Sequence, residues 1–422
     1  MIEVRYVGNV SKNQWLTKNY NETNIFENGF LTDFKNAQAN LAASGGTTFK
    51  GPNPTPILNQ AFQTTGQSNF SDGQFITYLK QGQAGAFANT LAGNSTYLCS
   101  LIGASFGPCA AQGIPGTGNY PMNIFQENPF AAGGSTLEMG NYGYSNYNAM
   151  QVDFRQNTNH GMQFDVNYTL SKSLGTSVQG SIAPGYYGGR NNSAPSFFTL
   201  RNLGLNYFPS SFDVRHVMHA SGTYDLPFGQ GRKFFNQNAI ANAVIGGWTL
   251  GTIITWQSGE PQLLVGGTSP FNQNDGGISL INVTSSELQH QMHARRVPGK
   301  PYMSLFDPKY INQVNGEANS AYITPEYTPG QIGRYLWLHA PTNFNTDLAL
   351  TKAIPVYREI NLRLQGVFLN AFNHVSWLGM TNPSETSIQS STFGTTSTTY
   401  GSTALPATNG ARQIEVRANV QF

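Results

Sequence analysis

The chain has 422 residues, of which only 10% are charged, 23 basic and 21 acidic. An ordinary soluble domain carries about 25% charged residues. This composition excludes a disordered solvating tail, which is charge-rich and poor in aromatics, because aromatic residues make up 12% of the chain. It also excludes helical bundles, which need surfaces rich in Glu and Lys. The net charge of +2, with no Lys/Arg stripe, implies no attraction to nucleic acid.

Apolar and polar residues alternate strictly in several segments, which predicts strands with one apolar and one polar face. The pattern is clear in IEVRYV, MQVDFR, MQFDVNYTL, INLRLQGVF and RQIEVRANVQF. The predicted strands are 1–8, 147–155, 162–170, 215–226, 247–257, 343–352, 358–370 and 412–422. Most of them have about 9–12 residues, the length that crosses a bilayer at a tilt of about 45°.

The segment 239–258 has an alternative interpretation. It is uncharged and contains Gly247-x-x-x-Gly251, which would suit a transmembrane helix. Its Gly-Gly pair and its β-branched residues disfavour a helix, and Trp248, Leu250 and Thr252 begin a period of two. We therefore predict a strand at 247–257.

The predicted connections alternate in length. Short turns lie at 156–161 and at 353–357, where Pro355 is expected in the turn, and a medium one lies at 227–246. Long loops lie at 9–146, 171–214, 258–342 and 371–411. This is the layout of an all-β, antiparallel transmembrane barrel with short turns on one side and long extracellular loops on the other. A soluble β-sandwich would explain the alternation but not such long loops.

The two faces of the predicted strands differ in charge. The residues Glu3, Arg5, Asp153, Arg155, Asp165, Arg363, Glu415 and Arg417 fall on the polar, lumen-facing side. A charge facing lipid costs about 2–4 kcal/mol at the midplane, so the apolar faces are expected to be free of charges. Aromatic residues near the strand ends suit interfacial girdles, and these are Tyr6, Tyr168, Tyr224, Trp248, Trp256, Phe368 and Phe422.

The loop 9–146 contains signals of internal structure. Phe26, Phe30, Phe34, Ala37 and Leu41 recur at helical spacing after Asn24, which predicts an amphipathic helix near 25–43. A second helix is predicted from Ser71, with Gln74 completing a capping box.

The two cysteines of the chain, Cys99 and Cys109, lie in the same loop. In an oxidising exterior they are expected to form a disulfide that closes a short ring.

Enzyme motifs are not found, so we expect no enzymatic activity, no catalytic residues and no cofactor. The closest approach to a metal pair is His290-x-x-His293, which has no obvious third ligand, so no metal site is expected. His216 and His219 lie near the strand 215–226, and His219 is expected to form a hydrogen bond on the lumen face.

Three stretches combine aromatics with Asn or Arg, namely 140–147, 183–192 and 333–341. Such groups suit stacking on sugars or binding of a peptide, but they equally suit packing between loops. The sequence does not identify the substrate-binding residues.

Several ordered blocks resemble the C-terminal barrel of Oar-like TonB-dependent transporters. They are IEVRYVGN, NETNIFENGFLTDFKNAQANLA, YNAMQVDF, FDVRHVMHASGTYDLPFGQGRKF and LQGVFLNAFNHVSW. The resemblance covers most of the chain and implies a protein of the bacterial outer membrane, 1–422 being the C-terminal part of a barrel of about 22 strands. In that family a signal peptide, a TonB box and a plug precede the barrel, and none is recognised here.

The resemblance also implies partners. These are outer-membrane lipid, the missing N-terminal strands and plug, TonB only through that missing part, and the barrel-assembly machinery. The assembly machinery would read the last strand, whose apolar face carries Ile414, Val416, Ala418, Val420 and Phe422. The expected function is to supply barrel wall and substrate-admitting loops to a receptor. The alternatives are a surface-exposed adhesion or carbohydrate-binding β-protein, and a fragment without function of its own.

Overall fold

The computed structural model describes residues 1–104, 107–111, 118–131, 134–159, 161–176, 198–210, 212–229, 232–234, 244–357, 360–400 and 410–421. Its main element is an antiparallel sheet. The long strands are β1 (Ile2–Asn19), β2 (Leu137–Asn159), β3 (Met162–Gly175), β4 (His216–Asp225), β5 (Trp248–Gln257), β6 (Asn343–Tyr357), β7 (Ile360–Leu369) and β8 (Gln413–Gln421). They lie in chain order across the sheet, and the two-residue strand Phe208–Pro209 adds to β3.

Each predicted strand overlaps one of these strands, and Trp248–Gln257 of the segment with the helical alternative forms the strand β5. The first two strands extend much further than predicted, so the first long loop is 20–136 rather than 9–146. The reason is a pair of irregularities between β1 and β2, one between Ser11 and Gln14 and one between Gln14 and Leu16. They interrupt the alternation that identifies a strand, while the pairing continues to Asn19.

The position predicted for Pro355 is wrong. It lies within β6, opposite Asn361 of β7, next to a register shift between Pro355 and Tyr357. Proline lacks an N–H, and a bulge is one of the few places in a sheet that tolerates it.

The register keeps one apolar face continuous across the sheet. Val4 lies opposite Val152, and Val152 lies opposite Tyr168. The same row continues through Met218, Trp256 and Phe344. Farther along, Leu348 pairs with Phe368, which pairs with Ile414. Because successive side chains alternate, the residues between these positions share the opposite face, which is mostly polar but includes Ile253, Ala349 and Val367.

Lys352 corrects the expectation that the apolar face has no charges. It lies on that face, opposite Trp248 of β5 and Leu364 of β7, and is buried. Its ammonium donates to the carbonyls of Val244 at 3.0 Å and Gly246 at 2.8 Å, and lies 5.2 Å from the Trp248 ring centroid. The position is tolerated because the side chain reaches backbone acceptors at the short-turn end of the strands.

The segment 20–136, here called the helical insertion, joins β1 to β2. Its helices are α1 (Phe30–Ala43), α2 (Pro56–Ala61), α3 (Gly73–Lys80), α4 (Ala84–Gly93), α5 (Ser95–Ile102) and α6 (Gly107–Ala110), with a 3-10 turn at Gln67–Ser71. They enclose a core of their own, in which Phe75 and Phe87 stack with ring centroids 4.5 Å apart. Within the described residues, no helix is both long enough and apolar enough to span a membrane.

Both predicted helices of the insertion exist, but each begins later than predicted. α1 begins at Phe30 because Gly29 adopts a left-handed conformation with φ of 85° and Asn28 accepts a hydrogen bond from the Phe30 N–H. The side chain that caps α3 is Asp72, which accepts from the N–H groups of Gln74 and Phe75. Ser71 instead ends the preceding 3-10 turn.

Cys99 of α5 and Cys109 of α6 are bonded, with their Cα atoms 5.3 Å apart. Both are fully buried in the core of the insertion. The bond ties two short helices whose few turns would be marginal on their own.

The connection 258–342, together with 371–400, forms a second folded part, here called the loop unit. Its helices are α7 (Ser285–His290) and α8 (Pro383–Thr386), with a 3-10 turn at Pro308–Tyr310. Its short strands are Pro261–Leu263, Ile278–Leu280, Arg295–Arg296, Met303–Ser304, Ile323–Pro325, Trp337–His339 and Thr395–Thr396. They surround a second apolar core, in which Phe306 stacks on Phe393.

We predict that residues 20–136 fold when expressed alone, because their core is internal and the two ends meet at the hydrogen bond from Tyr20 N to Thr136 O, 2.8 Å. Urea unfolding followed by circular dichroism should show one cooperative transition. The double substitution Cys99→Ser/Cys109→Ser should lower the free energy of unfolding by about 2.5–3 kcal/mol, from loop entropy. A non-cooperative profile of the oxidised segment would contradict this.

We predict that the insertion is most stable at acidic pH. Burial raises the pKa of Asp33 to about 6, although its carboxylate accepts from Ile57 N and Leu58 N. The folded state therefore binds the proton more tightly than the unfolded state, and stability falls as the pH rises from about 4 to about 6. The loss should be about 1–2 kcal/mol after allowing for solvent screening. Urea midpoints across this range should show it, and Asp33→Asn should remove the slope.

Candidate functional site: the polar face and the outer loops

The polar face of the sheet carries a chain of ion pairs across β1, β2 and β3. Asp153 accepts from Arg155 at 3.0 Å and from Arg5 at 3.5 Å. Arg5 also lies 3.3 Å from Glu3, and Arg155 lies 2.7 Å from Asp165. These five residues are on the face where the alternation places them. The side chains of Arg5 and Arg155 remain about half exposed, so their ion pairs add little stability. The pairs mainly favour this register of the strands over others.

A second charged group lies on the same face at the opposite edge of the sheet. Arg417 of β8 holds Glu415 in two hydrogen bonds of 2.8 Å. Arg363 of β7 lies opposite Asn419, on the same polar face. All eight charged residues predicted to face away from lipid therefore share one face.

The polar face is concave and encloses a groove of about 660 Å³. Residues from β2 to β7 line it, including Arg155, Asp165, Ser221, Asp347 and Leu369. Six strands can line one groove only if the sheet curls around it. The volume suits a small ligand. Carboxylate, guanidinium and hydroxyl groups lie there beside apolar side chains such as Ile253 and Val367, so the lining is mixed.

The two edge strands of the sheet, β1 and β8, each have one side without a partner strand among the described residues. Within the part of the chain that the structure describes, β1 pairs only with β2 and β8 pairs only with β7. The apolar side chains at these edges are among the most exposed, with Val4 at 62% and Val416 at 80%.

The helical insertion and the loop unit meet at a polar contact centred on Glu22. Its carboxylate accepts from Thr199 Oγ1 at 2.6 Å, Leu200 N at 2.6 Å and Asn272 Nδ2 at 2.7 Å. Next to it, Thr23 N donates to Gln273 Oε1 at 2.7 Å. Sequence patterns could not identify this contact, because its partners lie far apart in the chain and none belongs to a motif.

Arg201 adds a second link beside Glu22. Its guanidinium forms two hydrogen bonds with Glu27, of 2.6 and 2.5 Å, and lies 4.7 Å from the ring centroid of Phe26. Phe26 in turn packs on Phe271 of the loop unit, with centroids 4.7 Å apart. The outer loops therefore form one connected structure at the end of the sheet opposite the short turns.

The three stretches that combine aromatics with Asn or Arg differ in where they lie. Residues 183–192 lie outside the described residues. Residues 140–147 are part of β2 and not of a loop. In 333–341, Tyr335 stacks on Phe198 at 4.0 Å and Trp337 stacks on Phe208 at 5.1 Å, so these rings pack between loops.

Tyr335 also helps to hold a buried carboxyl group. Its hydroxyl donates to the backbone oxygen of Asp275 at 2.8 Å. The Asp275 carboxylate accepts from the N–H groups of Gly266, Gly267 and Gly277, and burial raises its pKa. Burial likewise raises the pKa of the Tyr335 hydroxyl, which therefore stays neutral. Asp275 is held by its hydrogen bonds, and both residues belong to the packing between the loops.

The histidines that the structure describes lie in the sheet and in the loop unit. His219 contacts Thr255 Oγ1 on the polar face at 3.4 Å, and His216 bonds the Tyr168 hydroxyl at 2.8 Å on the apolar face. His290 ends α7, and His293 lies 3.4 Å from an Arg295 nitrogen. No group of three or more metal-ligating side chains comes together in the described ranges.

The last strand has the alternation expected of it. Ile414, Val416, Ala418 and Val420 pair with Phe368, Gly366, Leu364 and Leu362 of β7 on the apolar face. Phe422 lies outside the described residues.

We predict that Glu22→Ala loosens the contact between the outer loops. It leaves three donors without their acceptor, which costs about 1–3 kcal/mol for each buried group that water does not reach. Hydrogen exchange of the full chain should rise in peptides covering 198–206 and 266–277, but not in α1. The matched control is Glu27→Ala, which removes an exposed partner and should change little. Equal exchange in both variants would contradict the central role of Glu22.

Comparisons with known proteins agree with this architecture. No curated protein sequence matches the chain. A family model described as "Outer membrane beta barrel domain" matches residues 1–415. The continuous apolar face, the long strands and the long loops at one end are typical of barrels of the bacterial outer membrane, which is where the family match places this protein. The chain belongs to the outer membrane beta barrel domain family.

Proposed function

We propose that this chain supplies a section of barrel wall, and the outer loops above it, to a TonB-dependent receptor of the outer membrane. The observation that carries the proposal is the pair of open edges on an otherwise continuous sheet. In lipid, each unpaired backbone group costs several kcal/mol, so both edges need neighbouring strands. Additional strands would widen the barrel around the concave polar face.

A transport role is supported by the same face. In a barrel closed by eight strands alone, side chains would fill the lumen. The groove of about 660 Å³ along β2 to β7, with Arg155, Asp165 and Asp347 in its lining, is the kind of surface that a wider lumen would present to a substrate or to a plug. TonB itself would act through a segment outside these 422 residues, as the resemblance to Oar-like transporters implies.

The alternative of an adhesion or carbohydrate-binding protein has less support. Among the described residues, its best aromatic candidates are Tyr335 and Trp337, which stack on Phe198 and Phe208 in the packing between the loops. We also propose that the chain has no enzymatic activity, because none of the enzyme motifs sought is present in its sequence.

Disulfide crosslinking in isolated outer membranes tests the wider barrel. Cysteine pairs that combine Val4 or Gly8 on β1 with Val416 or Val420 on β8 should not crosslink, because other strands would separate the two edges. The pair Val152→Cys/Tyr168→Cys, opposite each other on β2 and β3, is the positive control. Efficient crosslinking between β1 and β8 would show a closed eight-stranded barrel and overturn the proposal.

Energy coupling needs a separate readout. The natural gene product, solubilised in mild detergent, should be retained by the immobilised periplasmic domain of TonB from the same organism. If the capture fails and the two sheet edges also do not crosslink, the protein is a wide barrel that does not depend on TonB.

A further inference from the structure

The polar face of the sheet contains a small apolar area within the groove. Ile253 of β5 lies opposite Asp347 of β6, and in the next row of the same face Gly251 lies opposite Ala349. Ala349 in turn lies opposite Val367 of β7. We call Gly251, Ile253, Ala349 and Val367, which all line the groove, the apolar island. Because this face is turned away from lipid and Ile253 is 57% exposed, an apolar ligand gains free energy by covering the island.

Two small residues give the groove its depth at the island. Gly251 has no side chain, and Ala349 opposite it has a single methyl group, so the floor is low beside the exposed Ile253. A Cβ atom at Gly251 would lie 3.6 Å from the Ala349 Cβ, an ordinary contact, so the packing of the sheet does not require glycine there. Glycine inside a strand costs stability and often marks a place that a ligand approaches closely.

The two carboxylates of the groove differ in their partners. Asp165 lies 2.7 Å from Arg155, which balances its charge. Asp347 accepts only neutral donors at its Oδ1 atom, the Asn345 side-chain amide at 3.0 Å and Asn370 N at 2.8 Å. It forms no ion pair with any residue that the structure describes. The groove therefore holds one negative charge that has no counter-charge.

Cations elsewhere on the chain do not supply this counter-charge. Arg417 pairs with Glu415 at 2.8 Å. Arg215 and Arg363 form no ion pair within the described ranges, but each lies six residues along the chain from the row of Asp347, which is about 20 Å of strand. A bound ligand is the remaining source of a positive charge beside Asp347.

We propose that the groove binds an amphipathic organic cation, with its ammonium or guanidinium group on Asp347 and its hydrocarbon body on the apolar island. A hydrogen bond between two charged groups fixes the head, and burial of the island holds the body. The hydroxyls of Ser221 and Thr223, which also line the groove, can accept further polar groups of the ligand. An anion is disfavoured, because it would meet Asp347 while Arg155 is already paired.

This proposal rests on the proposed function, since it names the class of substrate that the lumen surface would take. Its test requires neither TonB nor neighbouring strands, because the whole groove belongs to this chain. Binding and barrel width are therefore measured independently.

The test compares four probes on the full chain, folded in nonionic detergent micelles, by saturation-transfer difference NMR against empty micelles. Phenylbutylamine has a charged head and an apolar body. Phenylbutanol keeps the body without the charge, phenylbutyrate reverses the charge, and methylamine keeps the charge without the body. Phenylbutylamine should bind at least about tenfold more tightly than each of the others, because it alone uses both the carboxylate and the island. Equal binding of any of the other three would overturn the proposal.

Variants locate the site. Asp347→Asn keeps an acceptor for Asn370 N but removes the charge, so it should weaken phenylbutylamine at least about tenfold and leave phenylbutanol unchanged. Gly251→Val fills the floor of the groove and should weaken both probes. The matched control is Asp225→Asn, which removes a carboxylate that Arg232 already pairs, outside the groove, and should bind like the parent.

Full binding of phenylbutylamine by Asp347→Asn, or an equal loss in Asp225→Asn, would refute the site. If Asp347→Asn does not fold, judged by heat modifiability in gels, the four probes on the parent chain decide alone. When phenylbutylamine shows no preference but the edges of the sheet do not crosslink, the cation site is wrong and the barrel-wall function stands. When it binds selectively but the edges crosslink, the site is supported and the proposed function is not.

Discussion

The need to pair every backbone N–H and C=O group away from water governs this molecule. In hydrocarbon a strand can meet it only through its neighbours, and a one-residue slip would turn its apolar side chains to the wrong face. The register from Val4 through Val152 and Tyr168 to Trp256 keeps both conditions satisfied across strands that are distant in sequence. The ion pairs of the polar face and the position of the groove follow from that register.

The outer loops obey a different constraint. They are in water and bury apolar side chains in cores of their own, with Phe30, Phe34 and Phe87 in one and Phe306 and Phe393 in another. Charged residues act there as connectors. Glu22 joins parts of the chain about 180 and 250 residues away from it, through Thr199 and Asn272. Low overall charge is therefore compatible with folded loops, because a few well-placed carboxylates suffice to connect them.

The strands could be predicted because period two is a local property. Trp248, Leu250 and Thr252 indicate β5 without any knowledge of its neighbours. The ends of elements were harder, since Gly29 and Asn28 set the start of α1 through a backbone conformation and a side-chain bond that spacing alone does not show. The alternation itself places Lys352 on the apolar face, but it cannot show the backbone acceptors of Val244 and Gly246 that compensate the charge there. The contacts of Glu22 and the stacking of Tyr335 depend on tertiary proximity alone.

The two ends of the helical insertion are joined by the same ladder that forms the sheet, with Asn19 opposite Leu137 and Tyr20 bonded to Thr136. The segment between them is a loop that joins two fully paired strands. Its length and sequence therefore do not affect the register of β1 and β2. Insertions, deletions or exchange of the whole segment would leave the wall intact. In evolutionary terms, the part of this protein most visible from outside the cell is also the part that can change fastest.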